Sequence, residues 1–120
     1  MKKILAVDDS ASMRQMVCFT LKKAGFAVTE AKDGQEAFDI AKASQFDVVI
    51  SDVNMPIMDG ITLVQNLRTL PDFKFTPILM LTTESGTDKK TEGKAAGATG
   101  WIVKPFNPDQ LLAVINKVAR

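Results

Sequence analysis

The sequence predicts an α/β protein built on a parallel β-sheet, and three observations predict it. Short apolar runs alternate five times with longer segments of helical period. Three of the runs, Ile4-Leu5-Ala6-Val7, Val48-Val49-Ile50 and Ile78-Leu79-Met80-Leu81, are continuously apolar, as strands covered on both faces are. The segments between them carry helix start and stop signals, so each strand is followed by a helix that crosses over, right-handed, to the next.

The strands are expected at Lys3–Val7, Ala27–Ala31, Asp47–Ser51, Ile78–Thr82 and Gly100–Lys104. In the first helix Met13, Met16, Val17, Thr20, Leu21 and Ala24 share a face by i, i+3, i+4, i+7 spacing, which places Met13 and Met16 in the core along with Met80. Ser12 with Gln15 matches a capping box, and Gly25 supplies the stop. The second helix is expected over 34–43, with Asp33 as N-cap, Glu36 three residues on, and Ala37, Phe38 and Ala41 turned inward. The third begins after Asp59 and ends before Pro71. The fourth covers 87–96 and contains Gly93, an interior glycine that costs about 1 kcal/mol relative to alanine. The fifth has Asn107 as N-cap, Pro108 at its first position, and a face of Leu111, Leu112, Ile115, Val118 and Ala119. The five units fill residues 1–120 as one domain, with no linker or low-complexity stretch between them.

Composition excludes several classes of function. Fifteen Lys+Arg against 14 Asp+Glu leave a net charge of +1, which gives no electrostatic reason to expect nucleic acid or an acidic membrane surface as partner. The chain has no histidine, which removes imidazole metal ligands, Ser-His and Cys-His dyads, and any phosphohistidine of its own. Its one cysteine, Cys18, forbids an internal disulfide. The apolar run after Lys2-Lys3 stops at Asp8, too soon for a signal peptide, and no run reaches the roughly 18–20 residues of a membrane span. A cytoplasmic protein is expected.

The residues that end the strands carry the chemistry. Asp8-Asp9 follow the first strand, Asp52 the third, Thr82 ends the fourth and Lys104 the fifth. In an open parallel sheet all carboxyl ends lie on one edge, where ligands bind. Clustered carboxylates repel one another unless a cation joins them. An all-oxygen site suits a hard ion such as Mg²⁺, whose usual further ligands are waters and phosphate oxygens. Lys104 and Thr82 would then neutralise and hydrogen-bond a phosphoryl group. One carboxylate can be the nucleophile and form an acyl phosphate. Position favours Asp52, because the adjacent Asp8 and Asp9 look like the pair that holds the metal.

Four motifs together carry a resemblance over the whole chain: Asp8-Asp9-Ser10, Ser51-Asp52-Val53-Asn54-Met55-Pro56-Ile57-Met58-Asp59-Gly60, Thr82-Thr83 and Lys104-Pro105-Phe106. The sequence resembles the receiver domains of two-component response regulators, and within them the stand-alone chemotaxis regulators. That resemblance implies a three-layer α/β/α doubly wound, flavodoxin-like sheet of order 2-1-3-4-5. It implies that Asp52 is the phosphoacceptor, that Asp9, Asp52 and the Asn54 backbone carbonyl ligate Mg²⁺ directly, and that Asp8 acts through water. Lys104 would contact the phosphoryl group, Thr82 would close on it, and the Lys104-Pro105 bond would be cis. Asn54 and Glu84 stand where the family tunes hydrolysis, including by a dedicated phosphatase. Thr82 and Trp101 stand where it couples a hydroxyl to an aromatic switch. The family's aromatic is usually Tyr or Phe, so Trp101 is a departure.

The implied donor is a phosphohistidine on a separate sensor histidine kinase, in keeping with the absence of histidine here. The implied output is a partner protein, the flagellar motor switch in chemotaxis, bound by a monomer through the fourth helix, fifth strand and fifth helix. Lys89, Lys90, Lys94, Trp101 and Lys117 would be available there. Apart from self-catalysed phosphoryl acceptance and loss, the reading is not that of an enzyme. A stand-alone receiver in another phosphorelay shares every site residue. A haloacid-dehalogenase-like phosphatase would need a D-x-D pattern after the first strand, where Asp8-Asp9-Ser10 stands. A flavin carrier would need a Gly- or Ser/Thr-rich phosphate loop at the same place.

Overall fold

The three continuously apolar runs form the middle of a five-stranded sheet in the computed structural model, which describes residues 2–82, 94–104 and 107–119. The strands are β1 (Lys3–Val7), β2 (Ala27–Ala31), β3 (Val48–Asp52), β4 (Ile78–Thr82) and β5 (Gly100–Val103). They lie in the order β2-β1-β3-β4-β5, and every neighbouring pair is parallel. Residues of β3 and β4 are buried throughout, as is β1 after Lys3, while the edge strands β2 and β5 are each buried at one residue and otherwise half-buried or exposed. The third strand starts one residue later than the sequence suggests, at Val48. Asp47 stays outside and its Oδ2 accepts from the Lys3 N–H at 2.7 Å.

Successive strand residues point to opposite faces, so the sheet divides the interior in two. On one face Leu5, Val7, Val49, Ile78 and Met80 pack with Ala37, Ala41, Leu63, Val64, Leu67 and Phe73. These come from helices α2 (Gly34–Ala43) and α3 (Gly60–Leu67) and from the 3-10 turn Pro71–Phe73. On the other face Ile4, Ala6, Val48, Ile50, Leu79, Leu81 and Ile102 pack with Val17, Cys18, Leu21, Leu111 and Ile115. These come from α1 (Ala11–Lys23) and the C-terminal helix Pro108–Val118. The three-layer architecture follows directly. No helix among the described residues is long and apolar enough to cross a membrane.

The helix ends show why the segments start and stop where they do. Asp33 accepts from the Glu36 N–H at 2.8 Å, Asp59 from Thr62 at 2.8 Å, and Asn107 from Asp109 at 2.8 Å, each relieving an unpaired donor of the first turn. Gly25 takes φ +98°, and its N–H donates to Lys22 while that of Phe26 donates to Leu21, the paired bonds that close α1.

The start of α1 corrects the sequence reading. Ser10, not Ser12, is the N-cap: its extended backbone and its hydroxyl, which accepts from the Met13 N–H at 3.3 Å, begin the helix two residues earlier. The buried face of α1 is correspondingly Val17, Cys18 and Leu21, with Met13 partly covered, whereas Met16 is 54% exposed and lies outside the core. Of the expected fourth helix, residues 94–96 are helical, and Gly93 and the rest lie outside the described residues.

Arg68, at the end of α3, ties the amino-terminal edge of the sheet. It donates from Nε and Nη2 to the Gly97 carbonyl at 3.1 and 2.7 Å. From Nη1 it donates to the carbonyls of Phe73 and Thr76, both at 2.7 Å. Thr76 and Gly97 lie just before β4 and β5, so one side chain fixes the entry of two strands.

Candidate functional site

The carboxyl-terminal edge gathers the acids that end β1 and β3. The two strands are hydrogen-bonded neighbours, with Val7 opposite Ser51, which brings the residues after each tip together. Asp8, Asp9 and Asp52 each offer a carboxylate oxygen, and these oxygens lie within 4.8 Å of one another. Asp8 and Asp52 are buried and Asp9 is exposed, so the cluster opens to solvent on the Asp9 side.

Local structure holds each acid. The Asp8 N–H donates to the Ala31 carbonyl of β2 at 3.1 Å, and Asp8 Oδ1 accepts from the Ser10 N–H at 2.9 Å. Asp52 Oδ1 accepts from the Val53 N–H at 2.9 Å. The start of α3 presses on the end of β3: the Gly60 N–H donates to the Val53 carbonyl at 2.8 Å, and a Cβ on Gly60 would run into the Asp52 carbonyl oxygen. Glycine is therefore required there for the backbone to close behind Asp52. In the intervening loop, Asn54 has an exposed side chain, and Ile57 takes φ +70° while 80% exposed.

Lys104 reaches the cluster from the end of β5. Its N–H donates to the Thr82 carbonyl at 2.7 Å, which seats it beside the tip of β4. Its Nζ stands 3.1 Å from Asp8 Oδ2 and 3.2 Å from Asp52 Oδ1, and the side chain is only 10% exposed. One ammonium is thus shared by two buried carboxylates, with a third beside them. Burial holds the Asp52 carboxyl above the ordinary carboxylate range. Lys104 pulls it back down, and Asp8 pushes it further up.

The sequence-predicted residues therefore divide into groups. Asp8, Asp9, Asp52 and Lys104 converge, and Thr82 is buried at the adjoining strand tip. Trp101 does not join them. It pairs in register with Met80, is half-buried, and packs against the core shared by α2 and α3. Lys94 and Lys117 are exposed. Glu84, Pro105, Lys89 and Lys90 lie outside the described residues, and with them the expected cis bond.

The sequence reading missed Arg14. Its Nη1 donates to the Asp8 carbonyl at 2.7 Å and its Nε to Glu30 Oε1 at 3.1 Å. The available signal was its spacing: Arg14 precedes Val17, Cys18 and Leu21 by three, four and seven residues, so it sits on the buried stripe of α1. A charge on such a stripe needs a partner.

The donor set fits a hard divalent cation. All three acids are oxygen ligands, they approach closely, and one ammonium leaves them with surplus negative charge.

Comparison with known proteins agrees with this geometry. The response regulator receiver domain family matches residues 4–116. A chemotaxis protein CheY-3 of Vibrio cholerae is 42% identical over 117 residues, covering 97% of this chain and 90% of the relative. A chemotaxis protein CheY of Pseudomonas aeruginosa is 39% identical, covering 97% of this chain and 94% of the relative. The crystal structure of Vibrio cholerae chemotaxis protein CheY4 superposes with a TM-score of 0.95 at 58% identity, covering 98% of each chain.

Proposed function

The chain belongs to the response regulator receiver domain family, and on that premise we propose that it is a phosphorylation-operated binding module whose phosphoacceptor is Asp52. The observation that carries the proposal is the buried Asp52 carboxylate beside Asp8 and Asp9, with Lys104 Nζ 3.2 Å from its Oδ1.

In this reading a phosphohistidine on a sensor histidine kinase presents its phosphoryl group in line with an Asp52 oxygen. The new P–O bond forms as the P–N bond breaks, and the imidazole leaves with the electron pair of that bond. Mg²⁺, when bound, neutralises the carboxylates and the charge on the transferring oxygens. Asp9, Asp52 and the Asn54 carbonyl would hold it directly, and Asp8 through water. Lys104 is already at the site and turns from the carboxylates to a phosphoryl oxygen, while the Thr82 hydroxyl accompanies it. Little further chemistry is required, because phosphoryl transfer is promoted chiefly by positioning and charge neutralisation. Asn54 and Glu84 set the rate at which water later removes the group, the step a dedicated phosphatase would accelerate.

The added charge of about −1.5 to −2 then biases a two-state surface. Movement of Thr82 is passed to Trp101 on the adjoining strand, and the surface including Lys94, Trp101 and Lys117 binds the output protein. By likeness to the chemotaxis relatives, that partner is the flagellar motor switch and the protein works as a cytoplasmic monomer.

The test is intact-mass analysis after incubation with a small acyl phosphate. A single added phosphoryl group is expected on the native protein with Mg²⁺. None is expected after chelation or on Asp52→Asn. Labelling of Asp52→Asn at the native rate would refute the assignment. In the same samples, Trp101 fluorescence and its quenching by iodide are expected to change when a phosphoryl mimic and Mg²⁺ are added.

A further inference from the structure

Arg14 turns away from an obvious opportunity. It stands on α1 beside three clustered carboxylates, yet its guanidinium grips the main-chain carbonyl of Asp8 at 2.7 Å and Glu30 Oε1 at 3.1 Å. The Arg14 side chain is 20% exposed and that of Glu30 41%, so the contact is covered on the arginine side and open to solvent at Glu30. The carbonyl it holds belongs to the planar peptide group joining Asp8 to Asp9. Fixing that plane limits the directions in which the Asp9 side chain leaves the backbone. Asp8 has its own anchors in the Ala31 carbonyl, the Ser10 N–H and Lys104. For the exposed Asp9, the peptide group is the fixed end.

Glu30 completes the device. It lies on β2, which pairs in register with β1 so that Glu30 is opposite Ala6. The guanidinium therefore spans from the edge strand to the acidic tip, using Nε for one contact and Nη1 for the other. A planar fork can make both contacts at once, and a single ammonium cannot do so with the same geometry.

We propose that Arg14 and Glu30 are positioning residues that lock the Asp8–Asp9 peptide, keeping the Asp9 carboxylate turned toward Asp52 for a divalent cation. The inference rests on the reading that the acidic cluster holds such a cation. Coulomb attraction alone gives the opposite sign for Arg14. A positive charge near three carboxylates competes with a metal ion, so its removal would tighten binding. Positioning requires that its removal weaken binding, as loss of outer partners of metal ligands commonly does.

The experiment is calorimetric titration of Mg²⁺ into the chelator-treated full chain. Arg14→Gln is expected to weaken Mg²⁺ binding about tenfold, and Glu30→Gln by a smaller factor. Adding Glu30→Gln to Arg14→Gln is expected to change nothing further, because Glu30 acts through Arg14. Arg14→Lys, which keeps the charge, is expected to recover only part of the loss. Unchanged or tighter binding by Arg14→Gln overturns the proposal, as does full recovery by Arg14→Lys. Urea unfolding with EDTA separates positioning from general damage. Weakened binding at an unchanged midpoint supports positioning, and a fall in affinity that tracks the midpoint across all variants overturns it. Asp9→Asn and Asp52→Asn report on the premise alone: if both bind Mg²⁺ as the native chain does, the cation reading fails whatever Arg14 does.

Discussion

Each end of the sheet holds a partly buried cation, and the two are satisfied differently. At the amino-terminal edge, Arg68 donates from three nitrogens to the main-chain carbonyls of Gly97, Phe73 and Thr76. Its acceptors are neutral, fixed by the backbone and indifferent to pH. At the carboxyl-terminal edge, Lys104 stands between Asp8 and Asp52 with Asp9 alongside, so acids outnumber the base. The first arrangement is complete and can only hold the fold. The second is left with uncompensated negative charge, which costs stability and leaves the edge ready to take up a cation. Burial of charge alone therefore does not mark a functional site; the balance of charge around it does.

The largest effect expected from this contrast is at Arg68. Arg68→Met leaves the partly buried carbonyls of Gly97, Phe73 and Thr76 without their shared donor and should destabilise the fold by about 3 kcal/mol in urea unfolding. A cost under about 1 kcal/mol would mean the amino edge does not depend on it. Lys104→Met leaves two buried carboxylates without their shared ammonium. It should cost about 2 kcal/mol at neutral pH, largely recovered on acidification, as urea midpoints across pH would show.

Asp52→Asn should act in the opposite direction and more weakly, stabilising the metal-free protein by about 1 kcal/mol at neutral pH. The sign follows from the raised carboxyl of Asp52 in the folded chain. Folding disfavours the charged form, so the penalty is absent below the unfolded carboxylate value of about 3.9 and grows as pH rises through the folded one. The gain from Asp52→Asn should therefore vanish near pH 4. A gain that persists there would point to packing rather than charge. The smallest effect is expected at Cys18, whose thiol is pushed up to about 11 by burial and then by Glu30. A thiol reagent should label it no faster than the protein opens, with addition of urea raising the rate.

Much of this was legible in the sequence where the signal is local. Continuous apolar runs marked β1, β3 and β4, because a strand covered on both faces has no solvent-facing position before its tip. Asp33, Asp59 and Asn107 marked helix starts, because capping is set by a few adjacent residues. Ser10 and Ser12 both suit an N-cap by type, and only the backbone decides between them. In α1, apolar residues at Met13, Met16, Val17, Cys18, Phe19 and Leu21 cover too wide an arc for spacing alone to choose the inward face. The convergence of Asp8, Asp9, Asp52 and Lys104 was legible because parallel strands must end on one edge. Arg14 and Arg68 were not, since their partners include main-chain carbonyls, and a carbonyl has no letter of its own. Both do stand on apolar stripes, and that misplaced charge is the trace a sequence can carry.

The loop after Asp52 holds one more consequence. Ile57 keeps a branched side chain at φ +70° with 80% of its surface in water, a backbone setting that glycine or asparagine would adopt with less strain. At that residue the loop is held against its local backbone preference. Replacing the isoleucine by glycine would slacken it without removing any buried contact, making this the gentlest place from which to retune how readily the surroundings of Asp52 rearrange.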